Sequence, residues 1–313
     1  MESGDNTIMK KTLYFILATT FSLGCSAQQK IAYNVLEDAA TQDYEIYVMD
    51  TEGNNSKNIS NSKSVDWVYD SFGDKIYFLS DRGECFRCFY LYEMDSNGNN
   101  LRKITDFKLG DSWLSTRNEG KEFIVKPAEA EDASFYIIDS KGTIIEKIKV
   151  DLTYANDPTF SPNGEKIVFR GSDKKSPREL GFTDALYVMD LSSKKMKKIT
   201  SHPDENAGKQ WTGYLAAAPR WRADGKISFA SKRDNNYDIY IINPDGTEMT
   251  SVTPLENNQV YHHWSADGEL IFEASMNNHN GYELYKRTKD GKTVQLTEDK
   301  TEQYAPVFVN SKK

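Results

Sequence analysis

Apolar and polar positions alternate in short runs along most of the chain, and the runs are separated by clusters of Gly, Asp and Asn. Alternation of period two predicts strands, and the polar clusters predict tight hairpin turns. One form recurs six times: EIYVMDTEG from Glu45, LYEMDSNG from Leu91, SFYIIDSKG from Ser134, ALYVMDLSS from Ala185, DIYIINPDG from Asp238 and YELYKRTKDG from Tyr282. A short strand follows each copy, as in SKNIS, LRKIT and MKKIT, and another apolar run precedes it, as in KIYFLS, KIVFRG and KISFAS.

In five of the six units the chain ahead of that run carries one more short strand ending in an aromatic: Tyr69, Phe160, Trp221, Trp264 and Phe308. The third unit is degenerate, with DSWLSTRNEG needing about two extra residues to align. Four strands per repeat of about 45 residues predict a four-stranded antiparallel sheet, the unit of a propeller rather than of a conventional domain. The first unit lacks its opening strand, whereas QYAPVFVN from Gln303 is an opening strand with nothing after it. The C-terminal strand is therefore expected to complete the first blade and hide both free edges. The expected fold is all-β, a single six-bladed β-propeller over residues 28–313 with no second domain.

The stretches DPTFSPNGEKIVF from Asp157, APRWRADGKISFASKRDNNYDIYIINPDG from Ala218 and EIYVMDTEG resemble the WD40-like repeat of TolB-type propellers and of the propellers of dipeptidyl-peptidase relatives. The resemblance spans nearly all of the chain after its first 27 residues and implies a six-bladed propeller. TolB itself carries an α/β domain ahead of its blades, so the resemblance is to its propeller part only. The peptidase relatives carry a hydrolase domain, yet no Gly-x-Ser-x-Gly elbow occurs here. Neither activity is carried over by the repeat itself.

Composition narrows the partners. With 313 residues, 38% hydrophobic and 27% charged, the chain is of ordinary globular type, and its net charge of −8 comes without a run of Lys and Arg. Nucleic acid is not an expected partner. From Met9, MKKTLYFILATTFSLGCSAQQK has the basic start, apolar stretch and small residues of an export signal, with Met9 an alternative start. Two processing routes stay open: lipidation at Cys25 in SLGC, or cleavage after Ala27. Either sends the chain to the periplasm or, as a lipoprotein, to the outer membrane of a Gram-negative bacterium, with membrane contact only through the lipid. Cys85 and Cys88 then remain, and in an oxidising envelope they are expected to form a local disulfide.

A residue that recurs in most blades belongs to the architecture, whereas one that breaks the repeat is a candidate for function. Asp157, Asp66 and Asp111 are read as blade-edge ligands of backbone N–H groups or of a neighbouring blade's Arg, with a shared cation as the alternative. Ser80 with Arg82, and Ser231 with Arg233, are read as tethers between blades. Ser112 in GDSWL lies in an innermost strand and is not expected to act as a nucleophile. The acidic loop PAEAEDAS from Pro127 lacks the ordered spacing of a calcium loop.

Loop length is the strongest functional signal. SDKKSPRELGFTD from Ser172 and SHPDENAGKQWTGYLAAAP from Ser201 stretch the fourth repeat to about 61 residues and emerge on one face. His202, Trp211, Tyr214, Arg178, Lys232, Arg233, Tyr261, His262 and His263 are expected to gather on that face and to bind a ligand there. The expected role is a monomeric, non-enzymatic platform for an envelope protein or peptide, needing no cofactor. The alternative is a divalent-metal-dependent carbohydrate-active enzyme of the uronate polysaccharide lyase kind, acting on an oligosaccharide, with His202, His262 and His263 as candidate ligands. Adjacent histidines on a strand point to opposite sides, which weighs against a shared ion.

Overall fold

The structure, a computed structural model, describes residue 1 and residues 29–130, 132–175, 179–201, 215–233, 236–253, 257–275 and 281–310. Among the described residues 24 strands form six sheets of four, and no helix occurs. In the first sheet the order is β24 (Gln303–Asn310), β1 (Gln29–Asp38), β2 (Asp43–Asp50) and β3 (Lys57–Asn58). The C-terminal strand thus closes the ring, with Gln29 paired to Asn310 and Val35 to Gln303. The innermost strands of the other blades are β4 (Asp66–Phe72), β8 (Ser115–Arg117), β12 (Tyr154–Phe160), β16 (Ala217–Trp221) and β20 (Asn258–Trp264).

The hydrophobic core lies between blades. Ala32 and Val307 of the first blade pack with Val68 and Phe78 of the second, and Phe135 of the third meets Phe169 of the fourth. A middle strand therefore has apolar neighbours on both faces, which is why KIYFLS in β5 (Lys75–Ser80) is buried from Ile76 to Ser80 rather than at alternate positions. Close approach also explains the recurrent glycine of the outer hairpins. Gly53, Gly98 and Gly142 all have φ near +85°, and a Cβ there would fall 2.4, 2.5 and 2.1 Å from the carbonyl oxygens of Leu296, Ile59 and Ile104. Only glycine meets both demands.

Five of the six innermost strands carry an irregularity, β8 being the one in continuous register. Pairing shifts between Asn156 and Thr159, between Ala217 and Arg220, and in β24 opposite Ala32 and Asn34. At these bulges Asp157, Ala218 and Ala305 adopt φ values of +57°, +46° and +48°, each directly before a proline. A bulge bends the strand and re-aims side chains toward the axis.

The register corrects two expectations. Ser71, not Tyr69, pairs with Ile76 as Phe160 pairs with Ile167, so Ser71 holds the aromatic slot of the second blade. The same two-residue shift removes Asp66 from the slot of Asp157. Asp66 stands opposite Ser80, at the entrance of its strand, whereas Asp157 lies deeper, in the bulge.

Candidate functional site

The innermost strands all run inward from one face, the face on which the loops between the second and third strands also lie. Depth in the channel is therefore set by position along the strand. Tyr69, Trp113, Asp157, Ala218 and Tyr261 line an upper chamber of about 240 Å³. One or two residues further on, Asp70, Ser115, Thr159, Arg220 and His263 line a lower chamber of about 160 Å³. Among the described residues none borders both.

Aromatic rings form the floor between them. Tyr69 meets Trp113 edge-on at 4.9 Å, and Trp113 meets Tyr261 at 5.1 Å. Arg220 sits against this floor, its guanidinium carbon 4.6 Å from the Trp113 ring centroid and its Nη2 donating to the Tyr69 carbonyl at 3.0 Å. Higher up, Trp67 packs edge-on to Tyr44 at 5.0 Å and to Tyr261 at 6.2 Å.

Charge in the upper chamber is held in two pairs of different character. Asp157 and Arg170 are both buried, with Oδ2 3.0 Å from Nε, and Arg170 also reaches Asp184 at 3.3 Å and the Tyr154 hydroxyl at 2.9 Å. Asp157 accepts the Trp113 N–H at 3.0 Å, and burial raises its pKa against the opposing pull of Arg170. By contrast Arg87 and Asp111 form a half-exposed pair at the mouth, and Asp111 accepts the Tyr69 hydroxyl at 2.8 Å. A disulfide between Cys85 and Cys88 closes the loop that carries Arg87. Arg87 is held at φ +55°, with its N–H on Asp81 at 2.7 Å, while Phe86 beside it is 62% exposed.

Of the residues expected on the long-loop face, Tyr261 lines the upper chamber. Lys232 lies 5.9 Å from the Tyr237 ring centroid. Arg178, His202, Trp211 and Tyr214, and the side chain of Arg233, lie outside the described residues, as does Cys25. His262 and His263 are not on that face. His262 is fully buried between the fifth and sixth blades, 2.8 Å from the Ser228 hydroxyl. His263 borders the lower chamber, its Nδ1 accepting the Phe308 N–H at 3.3 Å. Burial and the nearby Arg220 pull the pKa of His262 down to about 3 and that of His263 well below the usual histidine range. The two rings do not converge. Among the described residues no three His, Cys, Asp or Glu side chains gather around one point.

Asp157 takes a backbone N–H from the third blade and Asp111 pairs with Arg87 of the second, whereas the Arg partners of Asp157 and Asp66 lie within their own blades. Arg170, partner of Asp157, belongs to the same blade. Arg82 bonds Ser80 at 3.1 Å and pairs with Asp66, also in its own blade. Ser112 accepts the Asp157 N–H at 2.9 Å and donates to the Trp113 carbonyl at 3.0 Å, the work of a strand junction. In the acidic loop Glu129 pairs with Lys108 at 3.6 Å. Trp67, Arg87 and Arg220 were the residues missed. The available signal was departure from the repeat, as with the Arg of APRW where the equivalent stretches read DPTF and APVF.

No protein-family model and no curated protein matches the sequence. Solved structures do match. TolB from Acinetobacter baumannii is 20% identical with a TM-score of 0.69, over 90% of this chain and 67% of that one. The protein assigned as TolB in Agrobacterium tumefaciens is 15% identical with a TM-score of 0.62, over 91% and 93%. The nidogen/laminin complex gives 8% identity and a TM-score of 0.62, over 90% and 98%. Together with the six closed sheets, these similarities establish a β-propeller of the TolB-like kind, and at such identities they speak for the fold alone.

Proposed function

We propose that this chain is an exported cell-envelope propeller that acts as a binding platform, receiving a segment of a partner protein or peptide in its upper chamber without catalysing a reaction. The observation that carries this reading is the mouth itself. Trp67, Tyr44 and Tyr261 offer rigid aromatic surface around one cavity, with the Arg87 and Asp111 pair at its entrance. Aromatic and Arg side chains of this kind supply most of the binding energy of protein contacts. Export is supported by the leader-like N-terminal sequence and by the Cys85 to Cys88 disulfide, which suits an oxidising compartment.

The test compares capture from envelope extract by the wild-type chain and by Trp67→Ala and Tyr261→Ala, with circular dichroism to show that the blades remain folded. A protein held by the wild type and lost from both variants supports the reading; equal capture by all three places the partner elsewhere. Removal of part of the 203–213 segment tests the long-loop face in the same assay. Melting with and without a chelator, and with uronate oligosaccharides, tests the lyase-like alternative, for which a chelator-sensitive or sugar-dependent melt is the required result.

A further inference from the structure

Below the aromatic floor the channel has chemistry that the platform role does not use. Arg220 is only 7% exposed, yet no carboxylate of the described residues is paired with it. Of its five N–H groups, one has a partner, the Tyr69 carbonyl, and Nε is buried with none. A guanidinium taken out of water and left with so few acceptors is costly, and burial brings its pKa down to about 10. The lower chamber beside it adds further donors. Phe308 N–H occupies Nδ1 of His263, so in the neutral ring Nε2 carries the proton. Ser115 accepts from the Phe160 N–H at 2.7 Å, which leaves its own hydroxyl proton to donate.

We infer that the lower chamber is a binding site for a small oxyanion, a carboxylate of acetate size, held by Arg220 with His263 and Ser115. A volume of about 160 Å³ admits an ion of that size. Among the described residues the one anionic wall residue is Asp70, whose two oxygens already accept the Ser71 and Thr116 N–H groups at 2.9 Å each. An anion at Arg220 displaces Asp70 as the balancing charge, so Asp70 takes up a proton as the anion enters.

That coupling sets the pH dependence. Burial already lifts Asp70 to about 6 against the attraction of Arg220. The titratable groups that face it are Arg220, the neutral His263 on the chamber wall and Tyr77 of β5. Arg220, His263 and Tyr77 keep one charge state between pH 5.5 and 8, which leaves Asp70 as the group that responds. Affinity therefore rises as pH falls toward 6, by up to about tenfold per pH unit.

Acetate titrations of the purified full chain, at constant ionic strength, test this by thermal melting and by the ¹⁵N side-chain resonance of Arg220 Nε. The expected result is a saturable rise in melting temperature with acetate at pH 6, at least tenfold weaker at pH 8, and a saturable shift of the Arg220 resonance with the same midpoint. Arg220→Met abolishes the acetate dependence, and Asp70→Asn retains it at pH 8. The site is refuted if the wild-type Arg220 resonance does not move with acetate, or if Arg220→Met responds as the wild type does. Because the resonance is read on the wild type, the test holds even if Arg220→Met fails to fold. Loss of partner capture in the Trp67 variant with acetate binding intact would separate this chamber from the one above.

Discussion

Glu273, on β21 (Leu270–Ser275) of the sixth blade, accepts the backbone N–H of Ala305 at 2.8 Å, so a buried carboxyl group of one blade holds the bulge of the strand that closes the next. Burial raises the pKa of this group to about 8, against the lowering effect of its backbone partners. At neutral pH the folded protein therefore holds Glu273 in its protonated form, while the unfolded chain does not.

The sign of the consequence follows from linkage. A group whose pKa is raised on folding contributes stability that is complete below its unfolded value and is lost as pH rises through its folded value. Stability is expected to fall between about pH 4.5 and pH 8, by a few kcal/mol at most, since one pKa unit is worth about 1.4 kcal/mol. Glu45, raised to about 7 by burial, acts in the same direction. Urea denaturation across this range should show the decline in the wild type and a shallower one in Glu273→Gln; an unchanged slope in the variant would assign the decline to other groups.

Asp157 and Arg170 should prove coupled. Asp157→Ala removes one of the carboxylates that balance the buried Arg170 guanidinium, and is expected to cost about 3 kcal/mol. Arg170→Met in the same background should cost much less than Arg170→Met in the wild type. A double-mutant cycle by chemical denaturation should return a coupling of about 1–3 kcal/mol. Additive losses would show that the pair contributes only through separate hydrogen bonds.

Ala305 and Ala218 carry φ values near +47° that non-glycine residues seldom adopt. Ala305→Gly is expected to hold or raise stability by up to about 1 kcal/mol, and Ala305→Val to lower it by more than about 2 kcal/mol. Melting of the two variants checks the order. Ala217→Gly, beside Ala218 but at an ordinary φ, should instead lower stability by about 0.5–1 kcal/mol.

The Cys85 to Cys88 bridge closes a very short loop, so Cys85→Ser with Cys88→Ser is expected to cost no more than about 2 kcal/mol. Its larger effect should be local. Freed of the bridge, Arg87 loses its fixed place beside Asp111, and capture at the mouth should weaken while the melt changes little. A large fall in melting temperature with unaltered capture would reverse that assignment.

Blade number, strand order and ring closure were all legible in the sequence, because hydrophobic alternation and Asp-Gly turns repeat with the blades, and the orphan strand at Gln303 could pair only with the incomplete first unit. The channel was less so. Tyr261 and His263 are two residues apart, and proximity in sequence suggested one shared face; depth along an innermost strand instead separates them into different chambers. The bulges at Asp157, Ala218 and Ala305 are local backbone events, visible in sequence only as a residue before proline. Likewise Tyr69 and Asp66 were misaligned together, since a bulge breaks the count along the strand that alternation relies on.

Pairing of Gln29 with Asn310 also fixes how the ring bears load. The start of β1 and the end of β24 leave the first sheet side by side, on the face away from the mouth. Tension between the two ends would peel β1 from β24 one rung at a time, and little force is needed for that. Were the N-terminal end anchored and a partner held at the mouth, tension between them would instead run along the strands and load the rungs of the closing ladder in shear. The closing ladder therefore resists a pull along its strands better than a pull that parts its two ends.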